Sequence, residues 1–118
     1  MNVLLVLDSL LIRDRLVDRL SRLASLTIIG NLKNEEDVLR RIGAQAPEVV
    51  IVDVHLVGAM GIEVLRKVKR LKNPPLVVTV STSSHPQYSR QSMKEGADYC
   101  IQLPDEVDKL TELLERAK

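Results

Sequence analysis

"VVIVDVHLVGAMGIEVLRKVK", Val49 to Lys69, sets four aliphatic residues in a row before Asp53, follows them with a glycine-bearing loop, and then spaces Ile62, Leu65 and Val68 three apart. The unbroken aliphatic run is the pattern of a strand covered on both faces. The spaced residues are the pattern of a helix that buries one side. A strand, a loop and an amphipathic helix in that order make the first half of a parallel βαβ unit. In such sheets the carboxyl ends of the strands collect ligands, which draws attention to an acid standing there.

Working outward, the same alternation fills the chain. Four more short apolar runs occur: "VLLVL" (Val3 to Leu7), "LTIIG" (Leu26 to Gly30), "LVVTV" (Leu76 to Val80) and "YCIQL" (Tyr99 to Leu103). Between them, Ile12, Leu16, Leu20 and Leu23 mark one amphipathic helix, and Val38, Leu39 and Ile42 another. Val107, Leu110, Leu113 or Leu114, and Ala117 mark the last. The segment from about His85 to Glu95 offers only Tyr88 and Met93 as apolar anchors, which predicts a marginal helix. Breakers separate the elements at Asn31 to Asn34, Gly43 to Pro47 and Asn73-Pro74-Pro75, with Gly96 as the expected C-cap of the fourth helix. Strand and helix alternating five times predict an α/β domain, a (βα)5 doubly wound five-stranded parallel sheet with right-handed crossovers.

Composition narrows the function classes. The 118 residues suit one domain with an ordinary core, and the apolar 45% is almost wholly aliphatic: there is no Phe or Trp, and only Tyr88 and Tyr99. Seventeen basic against 16 acidic side chains leave a net charge of +1, so neither direct nucleic-acid binding nor membrane-surface binding is expected. Few aromatic rings also argue against base stacking. The single cysteine, Cys100, excludes an internal disulfide and a cysteine-cluster metal site, and fits a cytoplasmic location. "MNVLLVLD" is too short to span a membrane and lacks a basic leader.

With the strands so placed, Asp8, Asp53, Ser81 and Leu103 stand at carboxyl ends along one edge of the sheet. An acid after an aliphatic strand is often no more than the N-cap of the next helix. Two such acids beside a hydroxyl suggest more, because carboxylates sharing a small volume repel unless a cation holds them. Mg²⁺, which takes oxygen ligands and keeps several waters, is the cation expected.

At these residues the chain resembles the receiver domain of two-component response regulators, a flavodoxin-like fold, over its whole length, 1–118 read as a single receiver domain. "VLLVLDS" resembles the acidic end of the first strand, "PEVVIVDVHLVGAMGIEVLRKVK" the phosphoacceptor strand with its loop, "VVTVSTSS" the hydroxyl-bearing strand, and "GADYCIQLP" the Gly-Ala-Asp and terminal Lys-Pro region. The resemblance implies that Asp53 accepts a phosphoryl group from a histidine kinase, a phosphotransfer protein or a small phosphodonor. It implies that Asp8, Asp53 and the backbone carbonyl of His55 hold Mg²⁺, and that Ser81 hydrogen-bonds the phosphoryl group and moves with it. Gly58 and Gly61 match loop glycines, and Pro104 implies a cis bond after Leu103, which an X-Pro peptide tolerates. Since a carbonyl does the work of His55, no role falls to its imidazole or to that of His85.

The chain also departs from the family. Leu7 replaces one of an acidic pair, which predicts weakened Mg²⁺ affinity; Val57 and Met60 replace a loop proline and aspartate. Leu103 stands in place of the phosphate-contacting lysine, with Lys94 and Lys109 the nearest candidates to substitute for it. Cys100 falls on the site of the switch aromatic, with Tyr99 expected to face the other way.

Two readings stay open. One is a receiver in two-component signalling with impaired phosphorylation, relaying its state to an output partner or a second copy through helix 4, strand 5 and helix 5. The other is a pseudo-receiver that docks or dimerises without phosphorylation. Neither is a conventional enzyme beyond self-phosphorylation and self-dephosphorylation. A flavodoxin-like enzyme or nucleotide binder fits less, for "DSLLIRD" after the first strand has no glycine-rich phosphate loop. The sequence runs to "LLERAK" with no DNA-binding output domain read within it, and a stand-alone regulator and a piece of a longer protein both stay open.

Overall fold

The computed structural model describes residues 1–55, 60–82 and 85–117. Strands β1 (Asn2–Val6), β2 (Thr27–Asn31), β3 (Val49–Asp53), β4 (Leu76–Ser81) and β5 (Tyr99–Gln102) alternate with helices α1 (Leu10–Leu20), α2 (Glu35–Gln45), α3 (Met60–Lys69), α4 (Pro86–Lys94) and α5 (Val107–Arg116). All strand pairs are parallel, in the order β2-β1-β3-β4-β5. The chain therefore winds from β1 outward to β2, then crosses back to β3 on the other side. The carboxyl ends of β1 and β3 flank the point of reversal, where a doubly wound sheet opens a crevice.

Two apolar clusters cover the sheet. On one face Leu4, Val6, Val50, Val52 and Val77 pack with Val38 and Ile42 of α2 and with Ile62, Leu65 and Val68 of α3. On the other, Val3, Leu5, Ile51, Val78, Val80 and Ile101 pack with Leu16 and Leu20 of α1 and Leu110 and Leu114 of α5. Every residue of β3 is buried, as its unbroken aliphatic run requires.

Helix α4 is a nine-residue helix with Pro86 in its first turn, where a missing N–H costs nothing. Tyr88 packs against the core and Ser92 is fully buried, whereas Met93 is 48% exposed. Residues 88 and 92 are one turn apart and share a face; Met93 is rotated off it, so of the two apolar residues only Tyr88 marks the buried side. Arg66 on α3 grips Glu95 through Nε at 2.8 Å and Nη2 at 3.1 Å, which ties the end of α4 to its neighbour.

After α4, Gly96 takes φ +108°, a conformation that side chains with a Cβ rarely adopt, and Asp98 then accepts from the Val77 N–H at 2.8 Å and from Lys69 Nζ at 2.9 Å. The Gly-Ala-Asp segment is thus a structural clasp that sets β5 beside β4. The Leu103-Pro104 peptide is cis. Gly58 lies outside the described residues.

Gly61 opens α3 directly against β3. A methyl added there would overlap the Asp53 carbonyl oxygen and lie 2.9 Å from Val54 Cα, both backbone atoms that cannot swing aside. Gly43, within α2, has nothing within 4 Å. Gly61→Ala is therefore expected to lower unfolding stability by about 2 kcal/mol or more, and Gly43→Ala to raise it by about 0.5–1 kcal/mol through the helix preference for alanine. Urea denaturation of the two variants checks both signs.

Candidate functional site

Three strand ends meet at the reversal point. The registers Val6 to Val52 and Asp53 to Val80 bring the exits of β1, β3 and β4 to one edge. Beyond Val6, the Leu7 N–H donates to Asn31 Oδ1 at 3.0 Å, so the end of β2 holds the chain as it turns toward Asp8. Ser9, not Asp8, caps α1 by accepting from the Ile12 N–H at 3.2 Å. Asp8 is consequently left out of capping. Asp53 does not cap α3 either, since that helix begins only at Met60.

Asp53 is 7% exposed. Its Oδ1 accepts from the His55 backbone N–H at 2.8 Å. Burial pushes its carboxyl above the usual aspartate range; the bond from the His55 N–H and, when it carries a proton, the His55 imidazole pull it down, and the Asp8 carboxylate adds to the upward push. The mutual action of Asp8 and Asp53 places the two expected acids in one electrostatic neighbourhood.

Ser81 ends β4, buried at 5% exposure, and its Oγ lies 2.8 Å from His55 Nε2. The His55 ring also stands edge-on to Tyr88 of α4, centroids 4.4 Å apart at an interplanar angle of 74°. The imidazole to which the sequence assigned nothing is thus the link between the β3 loop, β4 and α4. Its position two residues past a strand-ending acid gave no hint of this. The link follows from β3 and β4 being neighbours, which becomes visible only once the sheet order is known.

Leu103 meets Ser81 through its backbone. Its N–H donates to the Ser81 carbonyl at 2.7 Å, while its side chain, 8% exposed, joins the α1/α5 cluster. There it lines an open groove of about 320 Å³ with Ile12, Leu16, Pro104 and Val107. Leu7 belongs to the same cluster and is fully buried. Neither candidate lysine substitutes for the missing one: Lys109 Nζ is paired with Glu106 Oε2 at 2.6 Å, and Lys94 is exposed in the last turn of α4. Cys100 lines a small cavity with Ser81 and Tyr88, and Tyr99 is 46% exposed.

Among the described residues no group of three or more His, Cys, Asp or Glu side chains is placed to hold a metal ion. Asp8 and Asp53 bring two carboxylates to this edge, hard oxygen donors that suit Mg²⁺ better than a transition metal. Receiver domains generally bind Mg²⁺. No described helix is long and apolar enough to cross a membrane.

A five-stranded parallel sheet with this order is the flavodoxin-like fold that receiver domains adopt. A sequence-family model described as the response regulator receiver domain matches residues 3–115, and the chain belongs to that family. The sensory transduction protein LytT of Bacillus cereus is 32% identical over 119 residues, covering 100% of this chain and 47% of its own length. The chain thus spans about half the length of the curated relatives it matches. The crystal structure of the receiver domain of NtrX from Brucella abortus aligns with a TM-score of 0.81 at 26% identity, over 98% of this chain and 96% of that one. The response regulator domain of Thermotoga maritima CheB aligns with a TM-score of 0.79 at 25% identity, over 99% and 92%.

The raised carboxyl at Asp53 fixes a pH signature. Folding makes Asp53 bind its proton more tightly than the unfolded chain does, so its contribution to stability is fullest below the unfolded value of about 3.9 and is lost as pH rises through the folded value. Asp53→Asn, which keeps the oxygen that accepts from His55 but carries no charge, is expected to match wild type in acid and to be more stable at neutral pH in metal-free buffer. Denaturation midpoints measured from pH 3 to pH 8 check it; a difference that does not grow with pH contradicts the cause given.

Proposed function

We propose that this chain is a phosphoryl-accepting receiver of two-component signalling whose transfer step is slowed by the loss of a site cation. The observation that carries the reading is Asp53 itself: a carboxylate at the end of the central strand, desolvated and acted on by Asp8, with Ser81 one strand away. A carboxylate stripped of water and repelled by a second acid is poised for an electrophile or a cation.

In this reading an Asp53 carboxylate oxygen attacks the phosphorus of a phosphohistidine or small phosphodonor. The bond from phosphorus to the donor breaks, the donor keeps the electron pair, and an acyl phosphate forms on Asp53. Asp8, Asp53 and the His55 carbonyl would hold Mg²⁺, which when bound neutralises charge on the phosphoryl oxygens. Ser81 donates its hydroxyl to one of those oxygens. Leu103 contributes no charge there. A positioned cation is worth roughly 2–4 kcal/mol to a developing anion, so its loss slows transfer on the order of 30- to 1,000-fold. Partners in this reading are a histidine kinase or phosphotransfer protein on the input side and an output partner or second copy through α4, β5 and α5.

The second reading, a pseudo-receiver that docks without phosphorylation, is favoured by one observation: Leu7 and Leu103 are both absorbed into the same apolar cluster. Two aliphatic residues packed together serve stability whether or not Asp53 reacts.

Beryllofluoride with Mg²⁺, followed by NMR, separates the readings. Saturable shifts reaching Ser81, lost in Asp53→Ala, are the expected result; no response at millimolar Mg²⁺ leaves the docking module. Leu103 is a workable place to restore charge, because its side chain borders the open groove, whereas Leu7 has no exposure and would bury an acid. Leu103→Lys is expected to speed phosphorylation by a small phosphodonor about tenfold or more while costing about 1–3 kcal/mol of stability. Uptake kinetics and urea denaturation of that variant check the two halves; unchanged uptake overturns the charge-loss account.

A further inference from the structure

The His55 imidazole makes two contacts that neither Mg²⁺ binding nor phosphoryl transfer uses. Its Nε2 is hydrogen-bonded to Ser81 Oγ at 2.8 Å, and its ring meets the Tyr88 ring edge to face. Meanwhile its backbone N–H holds Asp53 Oδ1 at 2.8 Å. One residue therefore touches the proposed acceptor, the proposed switch hydroxyl and the first turns of α4. Tyr88 also borders a cavity of about 80 Å³, bounded by Ser81 and by the small side chain of Cys100, which leaves the ring room to shift.

We propose that the His55 imidazole is the positioning residue of the switch: it holds the Ser81 hydroxyl in the resting chain, and a phosphoryl group on Asp53 draws Ser81 off the ring and releases Tyr88 with α4. The inference rests on the reading of Asp53 as the phosphoryl acceptor. Its physical basis, with His55 in the neutral tautomer whose Nε2 accepts from Ser81 Oγ, is a competition between acceptors. A hydroxyl donating to a charged phosphoryl oxygen makes a shorter bond, roughly twice as strong as one between neutral partners, so Ser81 exchanges the imidazole for the phosphoryl group when one is present. The exchange is opposed by the bond given up, and the His55 bond therefore sets the threshold of the switch. Tyr88 loses its edge-on partner in the same event, which carries the change to α4.

The test uses the whole chain with beryllofluoride and Mg²⁺ as the phosphoryl mimic, reading the ring signals of His55 and Tyr88 by NMR. In wild type, both rings are expected to shift together with Ser81 as the mimic saturates. His55→Ala removes the competing bond without opening a cavity in the core, since the His55 residue is exposed. It is expected to bind the mimic about two- to tenfold more tightly, the worth of one net hydrogen bond, and to show Tyr88 already displaced before any mimic is added. His55→Gln, whose amide can reach Ser81, is expected to return both readouts toward wild type. A wild-type response with equal or weaker binding in His55→Ala overturns this inference and leaves the acceptor reading intact. Absence of any wild-type response overturns both.

Discussion

Everything at the site depends on β3 being sealed on both faces. Its aliphatic residues are clamped between β1 and β4 and covered by α2 and α3 on one side and by α1 and α5 on the other, so Asp53 is the first polar side chain the strand can offer. It offers it before leaving the protein interior. The carboxyl is thus desolvated by the packing that forms the sheet, and its reactivity and its cost to stability at neutral pH have one cause. Gly61 sharpens the constraint: α3 begins so close to the Asp53 carbonyl that no Cβ fits between them.

The fold was readable because its signal is periodic. Continuous aliphatic runs for strands covered on both faces, and three- and four-residue spacing for helices, survive any detail of side-chain packing. Asp8, Asp53 and Ser81 were legible for the same reason, as residues that interrupt those runs at their carboxyl ends. The inner face of α4 was not, because Ser92 is buried for its small size and its turn, and Met93 is long, apolar and outside. Nor was the His55 bond to Ser81, which joins residues 26 apart in sequence through a sheet order that composition does not encode. Leu7 and Leu103 could be recognised as departures, but their shared destination in one cluster could not.

That shared destination changes how the departures read. Set against the receiver pattern the chain resembles, Leu7 stands for an acid and Leu103 for a lysine, so the two departures offset each other in formal charge. A lost lysine beside two acids would have left Asp53 facing more uncompensated repulsion; a lost acid alone would have left a lysine with less to hold it. Replacing both with leucine moves the α1/α5 core outward to the sheet edge. What remains for Asp53 is Asp8 pushing its carboxyl up and His55, through its N–H and its ring, pulling it down. His55 thereby stands at the centre of a site from which the sequence had removed its side chain.

The central claim is that Asp53 still takes a phosphoryl group without a lysine at the position of Leu103. Intact-mass spectrometry of the chain after incubation with a small acyl phosphate and Mg²⁺ tests it most directly. The account predicts slow gain of the mass of one phosphoryl group, absent in Asp53→Asn and abolished by chelating the metal. No gain after prolonged incubation, in a chain that remains folded, would contradict it.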